Sequence, residues 1–287
     1  MASIKLKRMI GAMALALCAA TASAKEPERT GGPYVPTPQV VVDEMLRIAQ
    51  VGSGDFVVDL GSGDGVIVLT AATQYRARGM GIEIDPELVK LSNDSARRAG
   101  VAERASFHVQ DVFKADLGRA TVLTLYLLPE MMGNLRSKVF TELRPGARVV
   151  SHDYHFGDEW PPDDYFTFDV PEKEKVNGVP RATIYFWVVP AKIAGKWRVR
   201  IDGASGGQYE LDLRQRFQAF DGTAAAGGKN IRLELAQLRG EEIRFTVNAG
   251  AGRHVFNGRV SGDTMAGKVK LGSGKGSARW SATRIGT

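Results

Sequence analysis

Glycines and carboxylates concentrate in one short stretch of the chain, Val57-Val58-Asp59-Leu60-Gly61-Ser62-Gly63-Asp64-Gly65. Its apolar half is typical of a buried strand that ends at an acid, and glycine then occupies every second position of a loop. Residues 66–72 are apolar and compatible with a helix. A strand, a tight turn and a helix start in this order let backbone N–H groups face a small anionic group.

A second carboxylate, Glu83, closes the next predicted strand, twenty residues after Gly63. An acid at this place can accept hydrogen bonds from the two hydroxyls of a ribose. The glycine loop and Glu83 together therefore predict a nucleoside-containing cofactor.

The spacing of the glycines discriminates between cofactors. The dinucleotide fingerprint G-x-G-x-x-G requires its third glycine at position 66, where the chain has Val66, so a nicotinamide-dependent dehydrogenase is disfavoured. The form D-L-G-S-G-D-G, with Asp59 inside the strand end, instead resembles motif I of the S-adenosylmethionine-dependent methyltransferases. The resemblance, supported by Glu83 and the later Asp111, implies S-adenosylmethionine as the cofactor.

The same resemblance implies roles for individual residues around that cofactor. The loop glycines would admit its amino-acid head, and Asp59 would accept from its ammonium, unless Asp59 only caps the loop backbone. Glu83 would bind the ribose hydroxyls, and Asp111 the adenine amino group. Tyr34 and Thr37, which precede the first helix, would close over the cofactor or belong to a proline-rich surface strap. The predicted cofactor-binding residues are Tyr34, Thr37, Asp59, Gly61, Gly63, Gly65, Glu83 and Asp111.

Strand and helix patterns alternate through the first two thirds of the chain, which predicts a doubly wound, Rossmann-like α/β sheet. Residues 121–128 are almost wholly apolar and are predicted to form a central strand. Two strands at 166–170 and 183–189 follow without a helix between them and predict an antiparallel edge. The other predicted strands are 56–60, 79–84, 105–109 and 148–151, and the predicted helices are 39–50, 66–75, 86–99 and 131–143.

Further motifs over residues 33–189 resemble one methyltransferase group, the small lysine N-methyltransferases of the adenine-nucleotide carrier and the ATP-synthase c subunit. They are Pro33-Tyr34-Val35-Pro36-Thr37 and Leu128-Pro129-Glu130-Met131-Met132. Residues 143–151 also resemble the more distant Dot1-type histone-lysine methyltransferases, although the asparagine of their fourth-strand motif is absent. The resemblance implies methyl transfer to an acceptor amine, with a protein lysine as the candidate.

Candidate catalytic residues lie at the ends of the fourth and fifth strands, because strand C-termini form the active edge of such sheets. They are Tyr126, Glu130 and Asp153, the last within Ser151-His152-Asp153-Tyr154-His155. No nucleophilic triad is required, since a sulfonium is already a good leaving group and the protein has to align and desolvate the acceptor. A metal site at His152, Asp153 and His155 is disfavoured, because neighbours on an extended strand point to opposite faces.

The first 24 residues have the pattern of a secretory signal peptide. Lys5, Lys7 and Arg8 form a basic start, residues 9–20 are apolar, and Ala22-Ser23-Ala24 is a small-x-small cleavage site. We therefore expect an exported chain, periplasmic or secreted, with no transmembrane helix after cleavage. Cys18, the single cysteine, lies in this segment, so the mature chain would have neither disulfides nor thiolate sites.

Beyond Pro190 the composition changes: 17 of the 33 glycines lie there, and alternating segments recur every ten to twelve residues. This pattern predicts a C-terminal all-β barrel of up to eight strands, lipocalin-like, or a sandwich over residues 190–287. A barrel of this size holds one small ligand or is filled by its own side chains, and the second is favoured.

Charge divides the chain in the same place. Residues 25–189 hold 18 Lys and Arg against 24 Asp and Glu, and residues 190–287 hold 17 against 8. The basic part is a solvated domain or contacts an anionic surface, and no pattern of a specific nucleic-acid module is present. Two functions stay open: an exported methyltransferase with a possible protein substrate, and an exported, non-catalytic binding protein that works through its β domain.

Overall fold

A computed structural model describes residues 34–203, 207–249, 252–272 and 276–286. The predicted signal segment and its cleavage site lie outside the described residues. Seven strands form a first sheet in the order β3-β2-β1-β4-β5-β7-β6. Strands β1 to β5 are parallel, and β7 runs antiparallel to both β5 and β6. The predicted doubly wound sheet with an antiparallel edge is confirmed.

Strand β4 (Val122–Leu125) lies between β1 (Phe56–Leu60) and β5 (Arg148–His152), and all four of its residues are buried. A strand covered on both faces needs apolar side chains on both, which is why this segment does not alternate. It is shorter than predicted, because the chain leaves the sheet at Tyr126. The other elements of this part are α1 (Gln39–Ile48), α2 (Val66–Gln74), β2 (Arg78–Glu83), α3 (Pro86–Arg98), β3 (Ala105–Val109), α4 (Pro129–Glu142), β6 (Asp164–Asp169), α5 (Glu174–Asn177) and β7 (Arg181–Val188).

Nine antiparallel strands form a second sheet in the order β11-β10-β9-β8-β16-β15-β14-β13-β12. The two end strands, β11 and β12, are consecutive in sequence, so the sheet curls until its edges approach, and a barrel-like sheet is confirmed. Its strands are β8 (Gly195–Ile201), β9 (Gln208–Arg216), β10 (Ala219–Ala226), β11 (Lys229–Arg232), β12 (Glu234–Arg239), β13 (Glu242–Ala249), β14 (Gly252–Ser261), β15 (Thr264–Lys270) and β16 (Ser277–Gly286).

The sheet has nine strands, one more than the predicted maximum of eight. The additional strand arises because residues 231–235, one alternating segment of the sequence, are divided between β11 and β12, and Leu235 has a left-handed backbone with φ 48°. Residues 217 and 218 form the turn between β9 and β10, where Phe217 has φ 54°, and the strand predicted there begins at Ala219. Positive φ values at non-glycine residues leave no trace in an alternating pattern.

Aromatic side chains fill the inside of the barrel. Phe245 and Phe256 stack with ring centroids 4.7 Å apart, and Trp280 packs edge-on against both. The strand register places Arg244, Lys268 and Arg279 in one row across the outer surface, where all three are exposed. Contact of this basic surface with an anionic surface stays a prediction.

The two sheets pack against each other through the turn between β9 and β10. Phe217 stacks on Trp160 of the first part at 4.8 Å, and the Gln218 amide donates to the Pro161 carbonyl at 2.6 Å. Gly240, in the turn between β12 and β13, also lies close to Val188 of β7 and to Gly146. Within the described ranges, no helix combines the length and the apolar character needed to cross a bilayer.

Candidate functional site

The glycine loop joins β1 to α2 by a path that reverses tightly. Gly61, Gly63 and Gly65 have φ of 76°, 52° and 81°, values that L side chains rarely adopt. A Cβ at Gly63 would lie 2.4 Å from the Tyr34 ring, so glycine is also required there by close contact.

Backbone N–H groups of this loop donate hydrogen bonds inside the protein. Those of Gly61 and Ser62 donate to the Ile82 carbonyl at 2.8 and 3.0 Å, and that of Gly65 donates to the Ser62 carbonyl at 2.8 Å. The predicted donors at the helix start remain: the first-turn N–H groups of α2 that have no intrahelical acceptor would be the donors for a carboxylate.

Glu83 connects β2 to this loop. Its Oε2 accepts from the Gly63 N–H at 3.0 Å, and its Oε1 accepts from the N–H groups of Ile84 and Asp85 at 2.7 and 3.0 Å. The carboxylate thus holds the loop at the end of β2 and keeps lone pairs of Oε2 for a further donor, such as a ribose hydroxyl.

Asp59 is buried at the end of β1, with 2% of its surface exposed. Its Oδ1 accepts from the Thr124 hydroxyl at 2.7 Å. Burial raises the pKa of this carboxyl to about 7, and the carboxylates of Glu83 and Asp64 add to the rise. A carboxylate in this position favours a cation beside it, which fits the ammonium of the predicted cofactor.

Asp111, Tyr34 and Thr37 line the same cavity. The Asp111 side chain accepts from the Phe113 N–H at 2.9 Å and so caps the short 3₁₀ turn Val112–Lys114. Tyr34 lies over Gly63, and burial together with the neighbouring Asp64 carboxylate raises the pKa of its phenol. All eight predicted cofactor-binding residues except Gly65 therefore line one cavity; Gly65 packs against Phe107 and Ser92 at the start of α2.

The charge of this cavity has one sign. No lysine or arginine of the described chain lines it, and five carboxylates do: Asp59, Asp64, Glu83, Asp85 and Asp111. A pyrophosphate would meet like charges here, whereas a ligand with an ammonium and a sulfonium would meet opposite ones. The residues present therefore fit S-adenosylmethionine and disfavour a dinucleotide.

The far side of the cavity is apolar and aromatic. Tyr126, Tyr154, Leu127 and Met131 line it beside the ends of β4 and β5. The rings of Tyr126 and Tyr154 are nearly parallel, with centroids 6.2 Å apart and an interplanar angle of 18°. This wall suits an acceptor that must lose its water before it reacts.

Of the three predicted catalytic residues, only Tyr126 lines the cavity. Glu130 is exposed in the first turn of α4 and does not belong to the lining. Asp153 turns away from it with φ 60°: its Oδ1 accepts from the Thr183 N–H at 3.0 Å, and its Oδ2 pairs with Lys173. The left-handed backbone at Asp153, just past the end of β5, turns this carboxylate toward β7, and Tyr154 lines the cavity instead.

The sequence did not indicate that Lys173 lies beside the predicted site residue Asp153. It is 2% exposed, and its Nζ lies between Asp153 and His152, at 3.0 Å from His152 Nε2. Burial, and to a lesser degree the Lys173 charge, lower the pKa of His152 to about 4, so this histidine is neutral. The His152 ring supports Tyr126 from behind, with centroids 4.0 Å apart. Nothing in a polar Lys/Glu-rich loop distinguishes this lysine from its exposed neighbours.

The segment that contains this site is similar to known methyltransferases. The ANTKMT methyltransferase domain model matches residues 59–164, from the last residues of β1 to the start of β6. A protein-lysine N-methyltransferase of Saccharolobus islandicus is 37% identical over 158 residues, which cover 55% of this chain and 93% of that protein. The chain belongs to the ANTKMT-type methyltransferase family. It is an enzyme that transfers a methyl group from S-adenosylmethionine, and the predicted resemblance is confirmed.

Two further relatives carry lysine methyltransferase names. The lysine N-methyltransferase of the ATP-synthase c subunit from Xenopus laevis is 35% identical and matches 50% of this chain and 66% of that protein. The adenine nucleotide translocase lysine N-methyltransferase of Mus musculus is 38% identical over 44% of this chain and 54% of that protein. A solved structure described as an RNA methyltransferase from Salinibacter ruber with S-adenosyl-L-homocysteine is 48% identical, covers 55% of this chain and 96% of that one, and has a TM-score of 0.49.

The methyltransferase needs little chemistry from its own side chains. When bound, S-adenosylmethionine supplies a methyl group on a sulfonium that leaves as a neutral thioether. Asp59 would hold the ammonium of this cofactor, and Glu83 its ribose hydroxyls. Leu127 and Met131 exclude water from the acceptor side, and Tyr126 and Tyr154 orient what enters there. These individual roles stay predictions.

Replacing Glu83 by Gln should lower the affinity for S-adenosylmethionine roughly 10- to 100-fold, because a charge-assisted acceptor and the bond to the Gly63 N–H are both lost. Titration calorimetry measures the change. Glu87→Gln is the matched control, since Glu87 is exposed in the first turn of α3. Equal affinities of the Glu83 variant and the wild type would contradict the assignment.

Replacing Asp59 by Asn should stabilise the cofactor-free protein at pH 8 and weaken its binding of S-adenosylmethionine. Because the folded pKa of about 7 lies above the ordinary 3.8, the folded protein holds this proton more tightly than the unfolded chain. The stability of the wild type therefore falls as the pH rises from about 4 to about 7, by about 2–4 kcal/mol at the upper end.

Denaturant unfolding of the wild type and the Asp59→Asn variant at pH 5 and pH 8 measures this effect. The amide of the variant keeps the acceptor for Thr124 but does not titrate, so the contribution of this position disappears from the pH dependence. The interpretation is wrong if both proteins lose stability equally between the two pH values.

Proposed function

We propose that the methyltransferase methylates the side-chain amine of a protein lysine. The observation that carries this proposal is the acceptor wall itself: Tyr126, Tyr154, Leu127 and Met131 face a cavity whose other side is lined by carboxylates. A long apolar stem with an amine at its tip fits such a wall. The named lysine methyltransferases among the relatives support the same acceptor.

The physical requirement is a neutral amine. A lysine ammonium has no lone pair, and transfer into an apolar wall lowers the pKa of the amine by desolvation. The proton leaves to solvent before the C–N bond forms and the C–S bond breaks. Aromatic faces also attract the methylammonium product by cation–π interaction.

The non-catalytic alternative, a binding protein that works through its β domain, gains no support from the relatives. All those described above are methyltransferases. The β domain lies outside the matched residues 59–164 and is given no role in the transfer.

Incubation of the chain with methyl-labelled S-adenosylmethionine and an envelope protein extract should label proteins at lysine. Peptide mass spectrometry locates the added methyl groups. The control is the same extract after chemical acetylation of its lysines, which turns each amine into a non-nucleophilic amide and should abolish the uptake of label. Label in the RNA of a total-cell extract, or on carboxylates or other side chains, would contradict the lysine assignment.

We also propose that the enzyme is exported. The support is the sequence pattern alone: Lys5, Lys7 and Arg8, the apolar residues 9–20, and the Ala22-Ser23-Ala24 site. An acceptor protein of the cell envelope or of the medium is consistent with this location.

Expression in a Gram-negative host should give a periplasmic or secreted product whose N-terminus is Lys25, because cleavage follows Ala24. Cell fractionation and N-terminal mass analysis measure this. Replacing Ala22 and Ala24 by bulky residues should leave an uncleaved precursor. An intact Met1 on a cytosolic wild-type protein would refute export.

A further inference from the structure

A strip of aromatic rings runs outward from the acceptor side of the cavity. Tyr154 lines the cavity, and the next residue, His155, contacts Tyr185 with ring centroids 5.0 Å apart. Tyr185 in turn lies 6.3 Å from Tyr165. We call His155, Tyr185 and Tyr165 the aromatic strip.

The strip is fixed by the register of the sheet. Tyr185 of β7 is paired with Ser151 of β5 on one side and with Tyr165 of β6 on the other. Cross-strand partners lie on the same face, so the two tyrosine rings form a continuous surface next to the active edge. β6 is the outermost strand of the sheet.

Tyr165 is far more exposed than its neighbours in the strip. Its side chain is 65% exposed, whereas Tyr185 and His155 are half-buried. An exposed tyrosine that rests on a second, better-packed ring is a typical platform for a guest side chain, and its face attracts cations.

The segment that carries Tyr165 is acidic. Residues 158–174 hold seven carboxylates and one basic residue, Lys173, which is buried against Asp153. Two of the seven pair elsewhere: Glu159 with Arg136, and Asp169 with Arg181 at 3.8 Å. Asp164 lies on the face of β6 opposite to Tyr165, in a groove with Arg148 and Arg239, and Asp163 also lies near Arg239. The remaining three are Asp158, Glu172 and Glu174.

We infer that the aromatic strip binds a lysine- or arginine-bearing segment of the acceptor protein, next to the lysine that is methylated. This inference rests on the proposed function. The rings supply cation–π attraction, and the excess of acidic over basic residues in residues 25–189 supplies charge complementarity, while Tyr154 connects this surface to the cavity. The ring-to-ring steps of 5.0 and 6.3 Å cover about 11 Å, the length of three to four extended residues. Basic residues are therefore expected within roughly four positions of the acceptor lysine.

The first test measures turnover with two lysine peptides that share one acceptor lysine and differ in their flanks, basic in one and glutamine in the other. Tyr165→Ala should raise the KM for the basic peptide about two- to fivefold and leave kcat, the KM for the neutral peptide and the affinity for S-adenosylmethionine unchanged. Tyr165→Phe keeps the ring and should behave like the wild type. Tyr165→Leu keeps the apolar area but should behave like the alanine variant.

The second test does not depend on turnover. A hexa-arginine peptide, which has no lysine, should bind the wild type and Tyr165→Phe, and should bind Tyr165→Ala two- to fivefold more weakly in calorimetry. A hexa-glutamine peptide should not bind. Equal binding of hexa-arginine to the wild type and Tyr165→Ala overturns the inference. If the arginine peptide binds as expected but no lysine is ever methylated, the proposed function fails and the cation site remains.

Discussion

A cavity lined by carboxylates is the constraint on which the rest of the site depends. Burying Asp59 beside Asp64 and Glu83 without a lysine or arginine in the lining is unfavourable in the free protein, and the raised pKa of Asp59 expresses this cost. The arrangement becomes favourable when a cation completes it. The buried Asp59 carboxyl group therefore makes this cavity favour a positively charged cofactor.

The same electrostatic problem explains why Glu83 makes so many backbone contacts. Three N–H groups surround its two oxygens, from Gly63, Ile84 and Asp85. They stabilise the carboxylate and tie the glycine loop to the end of β2, so that one residue both shapes the loop and presents an acceptor beside it. Glu83 therefore has a structural role in the loop and a binding role in the cavity.

Much of the sheet could be predicted because its signals are local. The strands Phe56–Leu60 and Ala105–Val109 have their predicted bounds, since each is a short apolar run between clear breaks. The positions that escaped prediction depend on distant partners. Asp153 faces Lys173, twenty residues away, and Leu235 marks the place where the barrel's two edges meet. No pattern along the chain reports such contacts, and the acid of the Ser151–His155 segment was therefore favoured over Tyr154, the residue that lines the cavity.

The stacked pair Phe217 and Trp160 has a practical consequence for anyone who divides this chain. Trp160 also packs on Phe156, which follows Tyr154 of the acceptor wall by two positions. A fragment cut after the catalytic sheet would expose the indole face that Phe217 covers, a few residues from the acceptor wall. Such a fragment would aggregate through this exposed apolar surface, and its loop after β5 would lose a packing contact. Shortened versions of this enzyme should therefore retain the β9–β10 turn.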